Sequence, residues 1–96
     1  MQFLIVYDIS TTTLGGEARL RTVARICEGF GHRVQKSVFE ATLDRAGLLQ
    51  LEHELVTAIN PATDSVGIYR LLEPYEQHAR HHGQRHGLNH HEPYNL

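Results

Sequence analysis

The sequence predicts an α+β fold, a ferredoxin-like βαββαβ unit with an antiparallel sheet. Two observations lead to this prediction. Apolar runs typical of strands alternate with two segments of helical periodicity, and an extended stretch long enough for two strands separates those segments. The 96 residues are enough for a single domain with one modest core. We expect residues 1–73 to form this core domain and residues 74–96 to form its C-terminal extension.

The first strand is predicted at residues 3–6, a continuous apolar run that indicates a central strand buried on both faces. The run ends at Tyr7 and Asp8. A carboxylate where a buried strand emerges needs a partner, such as a cation, a metal ion or backbone N–H groups. Asp8 is therefore the first candidate site residue, and capping of the following turn is its alternative role.

The loop at residues 10–16 is rich in hydroxyl groups and ends in two glycines, which is typical of a flexible loop. It lacks a Gly-Lys-Ser/Thr sequence, so a nucleotide-binding P-loop is excluded. A helix is predicted at 17–28, because its apolar residues recur at helical spacing and Gly29 and Gly31 follow it. Cys27 lies on the apolar stripe, so we interpret it as a core residue rather than a nucleophile.

The stretch at 33–43 contains neither proline nor glycine and is predicted to be extended. Its phase shifts at the adjacent apolar residues Val38 and Phe39, which fits either one bent strand or two short strands. A second helix follows at 48–59 and a last strand at 66–72. The helices would cover one face of the sheet. The other face is too apolar to remain in water, so we predict a two-fold homodimer through this sheet face.

The composition excludes several classes of protein. The formal net charge is −2, so the chain is not a globally basic nucleic-acid binder. No apolar stretch approaches the ~18 residues of a membrane span, and the N-terminus lacks the features of a signal peptide. The single cysteine excludes an internal disulfide and suits a reducing compartment. We therefore expect a cytoplasmic protein with no membrane partner.

Positive charge is nevertheless concentrated in one segment. Five of the nine Lys and Arg residues lie between positions 19 and 36, where Glu28 is the single acid, so the local balance is +4. A local positive field can attract phosphates even on a slightly acidic molecule. An ordinary solvated helix face is the alternative. The candidate nucleic-acid-binding residues are Arg19, Arg21, Arg25, Arg33 and Lys36.

The C-terminal extension contains six of the eight histidines. Three of them, His78, His81 and His82, have the spacing of one helical face, which fits a metal site. The glycines between the histidines favour the alternative, a polar and partly ordered tail. Residues 92–96 could form a short edge strand.

Three segments together resemble one known family. They are the strand end at 6–10 (VYDIS), the block at 31–40 (GHRVQKSVFE) and the last strand at 64–71 (DSVGIYRL). Their order and separation resemble the CRISPR-associated protein two family, small dimeric ferredoxin-like proteins of spacer acquisition. The Thr-rich loop and the tail resemble the subgroup that accompanies subtype I-C systems.

The resemblance implies a metal-dependent endonuclease that hydrolyses double-stranded DNA, with single-stranded RNA as a second candidate substrate. Asp8 matches the metal-binding aspartate of the family, and each protomer would contribute one. A hard cation with oxygen ligands, Mg²⁺ or alternatively Mn²⁺, suits such carboxylates. Arg19, Arg21 and Arg33 match basic positions linked to activity in the family. Tyr7 and Phe39 also match family positions, which implies that Tyr7 neighbours the site and that Phe39 packs beside the metal.

One feature departs from the family. Many members have a second acid and a basic cluster soon after the first aspartate, whereas the loop here is neutral and longer. We therefore expect no metal-binding carboxylate from this loop. The family also bridges two dimers of the CRISPR integrase and holds the protospacer duplex. The resemblance thus leaves a non-catalytic structural adaptor of the integrase complex as the alternative function.

Overall fold

A computed structural model describes residues 1–73 and 77–83 and confirms the predicted βαββαβ order. The stretch at 33–43 contains two strands rather than one bent strand, and the chain turns between them at Lys36 and Ser37. The pairing of these strands shifts its register between Arg33 and Gln35. The elements are β1 Gln2–Asp8, α1 Gly16–Phe30, β2 His32–Gln35, β3 Val38–Thr42, α2 Arg45–Ala58 and β4 Ser65–Leu71.

The four strands form one sheet in the order β2-β3-β1-β4, with every neighbouring pair antiparallel. β1 is central, as predicted, and pairs with both β3 and β4. Its residues alternate between buried and half-buried, because the side chains of a strand point to opposite faces. The helices cover one face of β1. Leu4 and Val6 remain half-buried on the other face, which we call the open face.

The core lies between the helices and the covered face of the sheet. Cys27 is fully buried in it, as interpreted from its place on the apolar stripe. Burial disfavours the thiolate and raises the pKa of Cys27 to about 11. The buried cluster consists of Ile5, Tyr7, Ile9, Val23, Cys27, Phe39, Ala41, Leu51 and Leu55.

The second helix begins at Arg45, three residues before the predicted start at 48. Asp44 caps it, because its Oδ1 accepts a hydrogen bond of 2.7 Å from the backbone N–H of Gly47. The residue types at 44–47 are those of a turn. Asp and Gly occur in turns and at helix starts alike, and the cap geometry distinguishes the two.

The described part of the C-terminal extension, residues 77–83, is exposed and contains His78, His81 and His82. Within the described residues, no group of three or more His, Cys, Asp or Glu side chains is arranged to hold a metal ion. The predicted edge strand at 92–96 lies outside the described residues. No helix in the described ranges is long and apolar enough to cross a membrane.

Candidate nucleic-acid interface

A cleft of about 500 Å³ lies where β1 ends, between α1 and the turn that joins β2 to β3. It brings together five of the eight residues predicted for the site, which come from three different elements. β1 contributes the acidic side chain, Asp8, and α1 and the β2–β3 hairpin contribute the positively charged side chains. The cleft is lined by Tyr7, Asp8, Ile9, Leu20, Arg21, Ala24, Arg33, Lys36 and Ser37.

Asp8 is the last residue of β1 and is exposed. It pairs in register with Ser65 of β4 and shares the open face with Leu4 and Val6. No hydrogen bond from a residue in the described ranges reaches its carboxylate, so the structure does not show the turn-capping role. Asp8 thus presents an acceptor group at the border between the cleft and the open face.

Arg33 is held in place from two sides. Its guanidinium carbon lies 5.0 Å from the centroid of the Phe39 ring, a cation–π contact. Its Nη1 donates a hydrogen bond of 3.0 Å to the carbonyl of Lys36, and its Nη2 lies 3.4 Å from Oε2 of Glu28. The orientation of this arginine is therefore fixed before any ligand binds.

Tyr7 and Phe39 form the buried floor beneath Arg33. Their ring centroids are 6.1 Å apart at an interplanar angle of 26°. The Tyr7 hydroxyl donates a hydrogen bond of 3.2 Å to the Lys36 carbonyl, the same oxygen that Arg33 contacts. Burial raises the pKa of Tyr7, so its hydroxyl keeps its proton and acts as a donor. Phe39 is fully buried and does not line the cleft.

Arg21 and Lys36 are the exposed, positively charged residues of the cleft. Neither side chain forms an ion pair with a residue that the structure describes, so both can bind an external anion. Arg25 is also exposed on α1, but it lies outside the cleft. The basic surface therefore extends along α1 beyond the cleft itself.

Arg19 does not join this group. Its side chain is 18% exposed, and its Nε donates to Oδ2 of Asp64 over 2.8 Å. Its Nη1 donates to the carbonyl of Leu14 over 3.0 Å, and its Nη2 donates to Oγ1 of Thr13 over 2.9 Å. The structure thus directs the guanidinium of Arg19 toward the protein and away from the cleft.

Asp64 is not among the predicted site residues, although it begins the segment at 64–71 that contributes to the family resemblance. This carboxylate is buried and also accepts hydrogen bonds from the backbone N–H groups of Ser10 and Asn60 and from the Thr63 hydroxyl. The hydrogen bond from Arg19 and these further donors hold the pKa of Asp64 far below its usual range. An aspartate just before a strand is a common turn residue, so no local pattern indicates its burial.

The oxygen donors of the cleft determine how it could bind a metal ion. The carboxylate of Asp8 suits a hard divalent cation. One protomer supplies this one carboxylate to the cleft, and the described residues contain no group of three potential ligands around it. A cation at Asp8 fits if its other ligands come from water, from a phosphate or from Asp8 of the partner subunit.

The fold and the cleft define a class of small ferredoxin-like proteins with an acid at the end of the first strand and bases beside it. Residues 1–79 match the family model described as CRISPR associated protein Cas2. The chain therefore belongs to this family, which confirms the family predicted from the three segments. Membership of the subtype I-C subgroup stays a prediction.

Curated relatives and a solved structure agree with this assignment. The chain is 48% identical over 83 residues to CRISPR-associated endoribonuclease Cas2 1 of Moorella thermoacetica, covering 86% of each chain. It is 41% identical over 93 residues to CRISPR-associated endonuclease Cas2 of Halalkalibacterium halodurans, covering 97% of each. A crystal structure of Streptococcus pyogenes Cas2 at pH 6.5 matches with a TM-score of 0.78 and 37% identity, covering 86% of this chain and all of that chain.

Proposed function

We propose that this protein is a metal-dependent endonuclease of CRISPR spacer acquisition that hydrolyses double-stranded DNA, with single-stranded RNA as a second substrate. One observation carries the proposal: the carboxylate of Asp8, which no described residue pairs with, lies in the same cleft as Arg21, Arg33 and Lys36. Phosphodiester hydrolysis needs a carboxylate that can hold a metal ion and positively charged side chains that stabilise the phosphate, and this cleft contains both. The names of two relatives, endoribonuclease and endonuclease, support nuclease activity.

A homodimer through the open face would complete the site. This face carries Leu4 and Val6 of β1 and also Tyr69 of β4, which is 57% exposed. Asp8 lies on the same face. Pairing two copies here would therefore bring Asp8 near Asp8 of the partner subunit, and two adjacent carboxylates repel each other unless a cation lies between them. Mg²⁺ is the expected ion and Mn²⁺ the alternative.

The residues of the cleft would then have separate roles. A bound divalent cation would polarise the phosphate and lower the pKa of a water molecule. Arg21 and Lys36 hold the phosphates of the nucleic acid, since neither is engaged with a described acid. Arg33, already oriented by Phe39, neutralises the charge that develops during hydrolysis. Tyr7 supports the turn that presents Lys36.

Cleavage of a short linear DNA duplex with Mg²⁺ or Mn²⁺ tests this function. We expect the native protein to cut the duplex and the cleavage rate of Asp8→Ala to be lower by more than roughly 100-fold. Replacing residues that only hydrogen-bond to a metal ligand already lowers activity by about 10–100-fold. Glu52→Ala is the matched control, since it removes an exposed carboxylate from α2 outside the cleft. Each preparation must first be shown to be a folded dimer. Equal cutting by all three proteins would refute the nuclease assignment for Asp8.

A second candidate function is that of a structural adaptor which bridges dimers of the CRISPR integrase and holds the protospacer duplex. The position of Arg25 favours it, because a basic surface that continues outside the cleft suits a duplex more than a single phosphate. Spacer integration with the integrase and Asp8→Ala distinguishes the two functions. Full integration with this variant would make the adaptor role the biological one, and loss of integration would make cleavage part of it.

A further inference from the structure

The ion pair between Arg19 and Asp64 joins segments that are 45 residues apart in the sequence. Arg19 belongs to the first turns of α1, and Asp64 lies in the turn before β4. Both contact the loop that follows β1, at Thr13 and at Ser10 respectively. This pair therefore connects three parts of the chain directly behind the strand end that carries Asp8.

The backbone of Ser10 is held on both sides. Its N–H donates to Oδ1 of Asp64 over 3.0 Å, and its carbonyl accepts from the hydroxyl of Thr13 over 3.3 Å. The same hydroxyl accepts from Nη2 of Arg19. Gly16, the first residue of α1, packs so closely that a Cβ there would overlap the Ser10 carbonyl. The loop at 10–16, predicted to be flexible, is thus anchored at its start.

Ser10 is two residues beyond Asp8, and the residue between them, Ile9, is buried in the core. Ser10 is thus joined to the end of β1 through a single intervening residue.

We infer that Arg19 and Asp64 are positioning residues for the Asp8 site, and that Arg19 acts through Asp64 and Thr13 rather than by binding phosphate. The inference deepens the proposed function and rests on it. All three guanidinium nitrogens of Arg19 donate to protein atoms, which leaves little of the group for an external anion. A lysine could not reproduce this planar set of hydrogen bonds.

Three variants with one contrast test the inference. Asp64→Asn removes the carboxylate, and Arg19→Lys keeps the charge but removes the planar fork of donors. Thr13→Val removes only the hydroxyl that links Arg19 to Ser10, so this variant still tests the inference if Asp64→Asn or Arg19→Lys fails to fold. Arg21→Ala is the contrast, because Arg21 is placed in the cleft. The measurements are kcat and KM for DNA cleavage, the salt dependence of DNA binding, and the amide resonances of residues 8–10.

Asp64→Asn, Arg19→Lys and Thr13→Val are each expected to lower kcat and to leave KM unchanged. For Asp64→Asn we expect a decrease of roughly 100-fold, which is the effect of misplacing a reacting group by about 1 Å. The slope of DNA affinity against salt should stay native in all three, and also in Arg19→Gln, which removes the charge that Arg19→Lys keeps. Arg21→Ala should lower this slope by about 0.9 for each phosphate that the arginine neutralises in the native protein. The amide resonances of Asp8 and Ser10 should move in Arg19→Lys and Asp64→Asn and stay in place in Arg21→Ala.

A lower salt slope in Arg19→Gln together with unmoved Asp8 and Ser10 resonances in Arg19→Lys would overturn the inference, because Arg19 would then bind phosphate directly. Absence of cleavage by the native protein would instead refute the proposed nuclease function. In that case the resonances, which need neither activity nor DNA, still decide whether Arg19 and Asp64 position the strand end. Unmoved resonances in all three variants would reject the positioning role.

Discussion

The guanidinium of Arg33 lies over the face of Phe39, 5.0 Å from the ring centroid, and Phe39 is fully buried. This cation–π pair connects the hydrophobic core to the cleft. Tyr7 extends the same floor and shares the Lys36 carbonyl with Arg33. The direction in which Arg33 points is therefore set in part by Phe39, a core residue that does not line the cleft.

We predict that Phe39→Leu weakens DNA binding more than its effect on stability explains. Leucine keeps much of the apolar volume but removes the ring face, whose attraction for a cation is worth about 0.5–1 kcal/mol at exposed sites. The expected result is a several-fold decrease in affinity, measured by fluorescence anisotropy with a labelled duplex. Leu51→Ala, a cavity elsewhere in the core, is the control and should destabilise by about 2–5 kcal/mol without this decrease. Equal decreases in affinity in both variants would contradict the role of the ring.

The open face predicts the effect of a charge at Tyr69. This ring packs over Gly67, where a Cβ would approach the ring atoms within 2.8 Å, and 57% of Tyr69 is exposed. Tyr69→Glu should convert the dimer to monomers in sedimentation velocity, since a buried unpaired carboxylate is costly. Val56→Glu places the same charge on the outer surface of α2, where Val56 is 64% exposed, and should remain a dimer. A native protein that sediments as a monomer would contradict the prediction.

The buried Asp64 predicts how stability changes in acid. Its folded-state pKa is depressed, chiefly by the hydrogen bond from Arg19, relative to an unfolded value of about 3.9. Its stabilising contribution is therefore complete above that unfolded value and is lost as pH falls through the lower folded value. Urea unfolding between neutral and strongly acidic pH should show the native protein converging on Asp64→Asn as pH falls. A difference that does not change with pH would contradict this assignment.

Cys27 should be chemically inert in the folded protein. The thiol is fully buried, and its raised pKa of about 11 leaves very little thiolate near neutral pH. We expect alkylation by iodoacetamide to proceed only through unfolding, so its rate should rise with urea up to the rate of the unfolded chain. Mass spectrometry of the alkylated fraction measures this. Rapid labelling in the absence of urea would show that Cys27 is accessible.

The sequence predicts the fold well where one local pattern decides the structure. The central β1, the stripe of α1 and the alternation of β4 each follow from a periodicity within a few residues. The division of 33–43 into β2 and β3 could not be decided, because a phase shift fits either a bulge or a turn. The sequence predicts that α2 begins at residue 48, whereas the helix begins at Arg45, because the cap at Asp44 is recognised only from backbone geometry.

The candidate site was predictable from residue types and from resemblance, but the role of each arginine was not. Arg19, Arg21 and Arg25 look alike in the sequence, yet they bind Asp64, line the cleft and lie outside it, respectively. What distinguishes Arg19 is a partner 45 residues away, and no local pattern reveals such a pairing. Long-range pairing of charges depends on the assembled fold.

Binding of Mn²⁺ measured by electron paramagnetic resonance tests the central claim most directly, because a contaminating nuclease cannot imitate it. Native protein, Asp8→Asn and the control Glu52→Gln would be titrated at equal concentrations of dimer. We predict one ion shared between two protomers in the native protein and in Glu52→Gln, and loss of this binding in Asp8→Asn. Unchanged binding in Asp8→Asn would contradict the claim that Asp8 is the metal ligand.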